Sequence, residues 1–372
     1  VPAVPAPAKG RSFQSWTVEP LQGWHLPLLD DPAFLPLQSL LQRSLLLALP
    51  DRLLTSLTSH RSLAGQILVA LERQGLTRQQ VLGLIVSRRL NRRGTCWQVQ
   101  HLRLALAIGE DASSFSRAAL AADLLRQAIG RVKGAASWIA TASSLDTPRL
   151  ATLREQGFQP QRTDRLWRWQ PPADRPAPVP PADLQLRPLN RRTAPLLWHL
   201  EQATCPAQLR QLLDRRIEDL LEQSDGRGWM LVDGVRNEAV AGVRRLHDHP
   251  GGGEAVELSL HPAWGHLLGS PAESLLHRIA RGGSGLWLRC EVSDEARQDW
   301  LQSLGAEAQG EAVLMARSVW RRQEGQPALR AARRIEAVLE QLQPRRRPLP
   351  TPSGPLGALP APRSPALPLA PR

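Results

Sequence analysis

The sequence predicts a mixed α/β (α+β) protein in which one unit of hairpin, helix, strand, helix and closing strand occurs twice. Three observations carry that expectation. Two distant segments repeat their landmarks without a gap, each copy switches its apolar spacing from period two to the helical period at the same point, and a proline-rich stretch stands between the copies.

The repeat begins with "VLGLIVSRRLNRRGTCWQV" from Val81 and "VAGVRRLHDHPGGGEAVEL" from Val240, which match Gly83 with Gly242, Gly94 with Gly253 and Val99 with Leu258. Each reads as strand, polar turn and strand, with the turn at Asn91–Gly94 or His249–Gly253. "AALAADLLRQAI" and "GSPAESLLHRIA" follow as helices. Trp138 then matches Trp287 on a short apolar strand, and a second helix ends at Gly157 or Gly305, where a left-handed glycine stops a helix. The spacing between these last landmarks differs by one residue. "RLWRW" near Trp167 and "AVLMARSVW" up to Trp320 read as the closing strands.

These elements place a first domain over 11–170 and a second over 184–322. "PPADRPAPVPPAD" (171–183) reads as an extended linker, because its prolines lack the N–H that a helix interior or central strand needs. Residues 327–342 carry an apolar stripe of helical spacing, and 344–372 is a Pro/Arg-rich tail expected to be disordered, as are residues 1–10.

Composition narrows the function classes. With 42% apolar residues the chain can bury a core, but it lacks the roughly 18-residue apolar run of a membrane helix. The opening "VPAVPAPAKG" lacks the layout of a signal peptide. The three cysteines show no metal spacing, so the expectation is a cytoplasmic protein without a metal site. The net charge of +13 is almost wholly arginine, lysine occurring only at Lys9 and Lys133, and no Tyr and few Phe interleave with it. That favours a solvated arginine surface over a nucleic-acid interface, which needs stacking platforms as well as charge.

In "WIATASSLDTPRLATLREQGFQP" (138–160), a strand, a short helix and an abrupt Gly-Phe stop resemble the fifth strand and fourth helix of the GNAT N-acetyltransferase superfamily. The second copy, "LWLRCEVSDEARQDWLQSLGA" from Leu286, does nearly the same, so the resemblance is to a tandem GNAT protein. It implies two twisted mixed sheets with helices on both faces, packed together in one chain. The co-substrate it implies is acetyl-CoA, its pantetheine arm between the fourth and fifth strands, with a small-molecule or protein amine as acceptor. Activity is expected in at most one half.

The same resemblance implies the site residues. A Gln/Arg-x-x-Gly-x-Gly/Ala turn would offer backbone N–H groups to the CoA pyrophosphate at a helix N-terminus. In the first copy it falls on Ser116, Arg117, Ala118, Ala119, Leu120 and Ala121, beside the strand residues Leu102, Arg103 and Leu104. In the second it falls on Leu267 to Ala272. Both copies depart from the pattern, with Ser116 or Leu267 leading and Ala119 or Ser270 at the middle glycine. The first copy keeps Arg117 and nearby serines and is the expected CoA half. Glu257, on the second copy's fourth strand, is the candidate base; Gln98 stands in its place in the first, and His101 and His261 lie near the same strand ends. The family's tyrosine acid would fall on Leu153 or Leu301 and its asparagine on Asp146 or Asp294. A chain without tyrosine excludes that acid. Two other readings compete: a non-catalytic pair of GNAT-like binding modules, and an arginine-rich nucleic-acid-associated protein using "SRRLNRR" (87–93) and "PRRRP" (344–348).

Overall fold

Runs rich in Val, Ile, Leu and Trp, broken by glycine turns, form a single twelve-stranded sheet in the computed structural model of the chain. The structure describes residues 16–54, 65–72, 80–106, 114–172, 176–249, 252–280 and 285–318. Residues 1–10, the helix expected over 327–342, the tail 344–372 and Trp320 lie outside these.

The first half runs β1 (Trp16–Pro20), α1 (Gln38–Leu54), β2 (Gln66–Glu72), β3 (Val81–Arg89), β4 (Cys96–Leu104), α2 (Ser114–Arg131), β5 (Ser137–Ser143), α3 (Thr147–Glu155) and β6 (Gln159–Trp169). The second runs β7 (Leu184–Pro188), α4 (Ala194–Thr204), α5 (Ala207–Leu213), α6 (Ile217–Gln223), β8 (Gly228–Asp233), β9 (Glu238–Asp248), β10 (Glu254–Leu260), α7 (Ser270–Ile279), β11 (Leu286–Glu291), α8 (Glu295–Ser303) and β12 (Glu307–Ser318). Between β6 and β7 the described residues form neither helix nor strand, as the prolines there require.

The sheet order is β1-β2-β3-β4-β5-β12-β6-β11-β10-β9-β8-β7. The halves therefore share one strand order up to their fifth strand, and then exchange the last. β12 pairs antiparallel with β5, from Ala312 opposite Ser143 to Ser318 opposite Ser137. β6 pairs antiparallel with β11, from Leu286 opposite Trp169 to Glu291 opposite Asp164. The two exchanged strands also pair with each other. This exchange is invisible in the sequence, because either closing strand has the alternation needed for either edge.

Alternation along β2 sends its side chains to two cores. Leu68 and Ala70 join Leu124 and Leu125 of α2 and Leu153 of α3, while Ile67, Val69 and Leu71 pack against Phe34 and Leu41 on the other face. In the second half, α7 and α8 cover one face and α4 covers the other. The exchange reaches into these cores: Trp167 and Trp169 of β6 pack in the second half's core, and Met315 of β12 in the first half's.

Pairing Trp138 with Trp287 is a one-residue slip, which in a strand reverses the face. Trp138 is fully buried with Ala140 and Ala142 beneath α2 and α3. In β11, Leu286, Leu288 and Cys290 face the equivalent core, and Trp287 stacks on His249 with ring centroids 3.7 Å apart. Matching Trp138 with Leu286 gives the spacing that also relates Asp146 to Asp294 and Gly157 to Gly305, which removes the apparent difference. The hairpin turns differ as well. The first closes with Leu90 N–H donating to the Cys96 carbonyl, the second with His249 N–H donating to the Gly253 carbonyl, each at 2.9 Å.

Gly157 and Gly305 adopt φ of +81° and +77°, and the next residues, Phe158 and Ala306, donate back to Leu153 and Leu301, each at 3.0 Å. These left-handed glycines let α3 and α8 reverse at once into β6 and β12.

Candidate functional site

In each half two parallel strands pair briefly and then part. β4 and β5 pair from Cys96 opposite Ser137 to Val99 opposite Ala140. Beyond Val99, β4 continues through Leu102, Arg103 and Leu104, held on its other side by Ile85, Leu84 and Gly83 of β3. Among the described residues, no strand pairs with its edge toward β5 over that stretch. β10 and β11 likewise pair from Glu254 opposite Leu286 to Val256 opposite Leu288 and then diverge.

The helices that follow start differently. In the second half the turn through Leu267, Leu268 and Gly269 leads into α7 at Ser270, with Pro271 in its first turn. In the first half α2 already begins at Ser114, so Ser116, Arg117, Ala118, Ala119, Leu120 and Ala121 lie inside the helix and not in a turn before it. N–H groups beyond the first four of a helix are bonded within it, so Ala118 to Ala121 have none to offer a phosphate. Leu120 and Ala121 are buried, Leu120 in the first core. The connection preceding α2, residues 107–113, lies outside the described residues. Arg117 sits in the helix's first turns and donates through Nη1 to the Ala105 carbonyl, at 3.1 Å, where β4 ends.

Both gaps are overlooked by an arginine from the helix after the fifth strand. Asp146 and Asp294 cap α3 and α8 by accepting from the N–H groups of Arg149 and Arg297, at 3.1 and 3.2 Å. The Arg297 side chain pairs with Asp294 at 3.1 Å and donates from Nη1 to the Leu258 carbonyl at 3.2 Å, across the mouth of the second gap. Arg149, its counterpart, makes no such bond to β4 among the described residues, and its Nε is buried without a partner. Burial lowers its pKa, with Asp146 opposing and Arg103 adding to the shift. His101, on the open stretch of β4, is neutral at physiological pH. Burial, and then Arg103, Arg149 and Arg88, push its pKa down to about 4. His261 instead accepts from the Ala263 N–H at 3.2 Å and caps a short 3-10 turn.

Glu257 is held by arginines. Its carboxylate bonds to Arg244, which is 1% exposed, and lies 3.7 Å from Arg215. Arg244 also pairs with Glu201 at 2.5 Å, and Arg215 with Glu201 at 3.3 Å. Burial would raise the Glu257 pKa, but Arg244, Arg215, Arg162 and Arg289 outweigh it and bring it down to about 2. Sequence reasoning found Glu257 and missed its partners, Arg244 of β9 and Arg215 of the loop before α6, both also held by Glu201 of α4. Leu153 and Leu301, where the superfamily's tyrosine would fall, are each 1% exposed and belong to the two cores. Among the described residues, no cluster of His, Cys, Asp and Glu could hold a metal ion, and no helix is long and apolar enough to cross a membrane.

No protein-family model and no curated protein matches the sequence. Solved structures do match the fold. A GCN5-related N-acetyltransferase from Sphaerobacter thermophilus aligns with a TM-score of 0.51 and 12% identity, over 82% of this chain and 96% of that one. A tandem GNAT protein from the clavulanic acid biosynthesis pathway aligns at 0.49 and 14%, over 82% and 99%. A GNAT-family acetyltransferase from Colwellia psychrerythraea aligns at 0.40 and 9%, over 82% and 100%. Of these three, the first alone passes a TM-score of 0.5, and at its identity it establishes the fold. The chain has the fold of the GNAT acetyltransferases over most of its length.

Proposed function

We propose that the chain is an acetyl-CoA-dependent N-acyltransferase whose working site lies in the first half. The observation that carries this reading is the asymmetry of the two gaps: Arg297 spans the second, while among the described residues nothing pairs with the β4 edge of the first beyond Val99. An extended amide-bearing chain fits such an edge as a further strand would, through main-chain hydrogen bonds. Arg103 on β4, Arg149 on α3 and Arg117 at the start of α2 supply positive charge for phosphates.

When bound, the co-substrate supplies an activated acyl carbon. The amine nitrogen forms a bond to it, the carbon–sulfur bond breaks, and the amine gives up its proton as the thiolate leaves. In this chain the work is chiefly positioning. Burial chiefly keeps His101 neutral, and the positive field of Arg103 and Arg149 that adds to this also favours the neutral form of a nearby amine. With its pKa lowered to about 4, His101 is itself a weak base, and the amine proton passes to water. The pairing of Glu257 with Arg244 and Arg215 argues against it as the base, since a carboxylate titrating near 2 has little affinity for a proton.

A second reading, a non-catalytic pair of ligand-binding modules, is favoured by one observation: the tyrosine positions are core leucines. Isothermal titration with acetyl-CoA separates the two. Arg117→Glu should weaken binding about tenfold or more, the loss of a charge-assisted contact costing roughly 1.5–3 kcal/mol. Ser270→Glu should change it little. The reverse ranking places the co-substrate in the second half, and no binding at millimolar acetyl-CoA leaves the module reading.

A further inference from the structure

A cavity of about 300 Å³ lies where the halves meet, lined by Arg88, Gln98 and Thr141 from the first and His247, Glu257 and Arg289 from the second. Most of its charges are already matched. Asp164 pairs with Arg162 at 2.9 Å, Glu201 and Glu257 share Arg244 and Arg215, and Asp294 holds Arg297. Glu291 stands exposed at the end of β11.

Two arginines are not matched. Arg88 of β3 donates from Nε to the Gln98 Oε1 at 3.2 Å, and among the described residues has no carboxylate partner. Arg289 of β11 has neither an ion pair nor a side-chain hydrogen bond among them. It is exposed to solvent yet closely surrounded by protein, as a side chain projecting into a cavity must be. His247 of β9 is kept neutral first by burial and then by the fields of both arginines, with His249 and Arg245 adding to them. The His247 Nδ1 and the Thr141 Oγ1 are both buried without a hydrogen-bond partner. Orphaned polar atoms and unpaired guanidiniums converging on one accessible cavity are the features of a ligand site.

We propose that this cavity binds a small ligand through an anionic group, a carboxylate or a phosphate, gripped between Arg88 of one half and Arg289 of the other, with Thr141 and His247 bonding its polar body. Planar guanidinium forks suit both anions. The volume is at the small end for ligand pockets and fits a molecule of amino-acid or sugar-phosphate size. Thr141 directly follows Ala140, the last β5 residue paired with β4, so the cavity adjoins the first gap, but its two arginines are not among the residues assigned to acetyl-CoA.

The test uses the full chain without CoA. Inorganic phosphate, ribose 5-phosphate, succinate and L-glutamate are titrated in turn by calorimetry, with the His247 ring signals followed by NMR. At least one of the two classes should bind, and the bound anion should raise the His247 pKa by offsetting the two arginines. The phosphate and carboxylate arms identify the class. Arg88→Gln with Arg289→Gln should weaken that binding at least tenfold, and Arg88→Lys should keep part of it. Absence of binding below about 10 mM by all four probes, or equal binding in the double variant, overturns the proposal. If the double variant fails to fold, the His247 shift in the wild-type chain decides alone.

Discussion

The Arg297 guanidinium donates to the Leu258 carbonyl at 3.2 Å, at the point where β10 turns away from β11. Its counterpart Arg149 makes no such bond to β4 among the described residues. Arg297→Ala should cost about 1 kcal/mol of stability, the worth of an ordinary hydrogen bond, and leave acetyl-CoA affinity within twofold. A tenfold loss of affinity in calorimetry would move the co-substrate to the second half.

The exchanged strands make each half incomplete alone. Residues 16–170 expressed by themselves lack β12, so the edge of β5 is bare and the first core lacks the fully buried Met315. This fragment should give no folded monomer, and a well-dispersed NMR spectrum from it would refute the expectation. In the full chain, Met315→Ala should destabilise by about 2–5 kcal/mol, as for other buried large-to-small changes, in a single unfolding transition shared by both halves.

Glu201 is 7% exposed and anchors the buried Arg244. Glu201→Ala leaves part of a buried guanidinium unmatched and should cost about 3 kcal/mol. Replacing the group together, as Arg244→Met and Arg215→Met with Glu201→Gln and Glu257→Gln, should recover most of that loss in a denaturant melt. If the quadruple change is no better than the single one, the network contributes through packing and not through charge.

His101 and His247 share a pH signature. Both have folded-state pKa values lowered to about 4 from an ordinary 6.5. The unfolded chain therefore takes up protons first as pH falls. The stability tied to their neutral forms is full above about 6.5 and is lost progressively toward 4. A plot of Tm against pH should flatten over that window in His101→Gln with His247→Gln; an unchanged slope would mean that the imidazoles are not held neutral. The carboxylate of Glu257, lowered to about 2, contributes above its ordinary range near 4.5 and loses that contribution only as pH falls toward 2.

What could be read from the sequence was local. Gly157 and Gly305 announced their helix stops, and the hairpins around Gly94 and Gly253 announced themselves through turn residues. Asp146 and Asp294 stood where helix caps belong. The strand exchange was not legible, because β6 and β12 alternate in the same way and nothing in a strand's sequence names its neighbour. The Trp138–Trp287 match failed for a similar reason: one residue of register separates a core tryptophan from one stacked on the opposite face. The ring of arginines around Glu257 comes from elements far apart in the chain, so its effect on that carboxylate could not be seen from "AVELSL". The cavity between Arg88 and Arg289 exists only once the halves have met.

The exchange of closing strands also sets a timetable for biosynthesis. When Ser143 leaves the ribosome, the strand that will cover its edge is still unmade, for Ala312 is its partner. At ordinary elongation rates the wait is roughly ten to thirty seconds. Throughout it the nascent chain carries an unpaired, apolar β5 edge, a template for any other strand. Such a protein depends on being shielded as it is born, and its yield in a cell should follow chaperone supply more closely than the stability of the finished sheet.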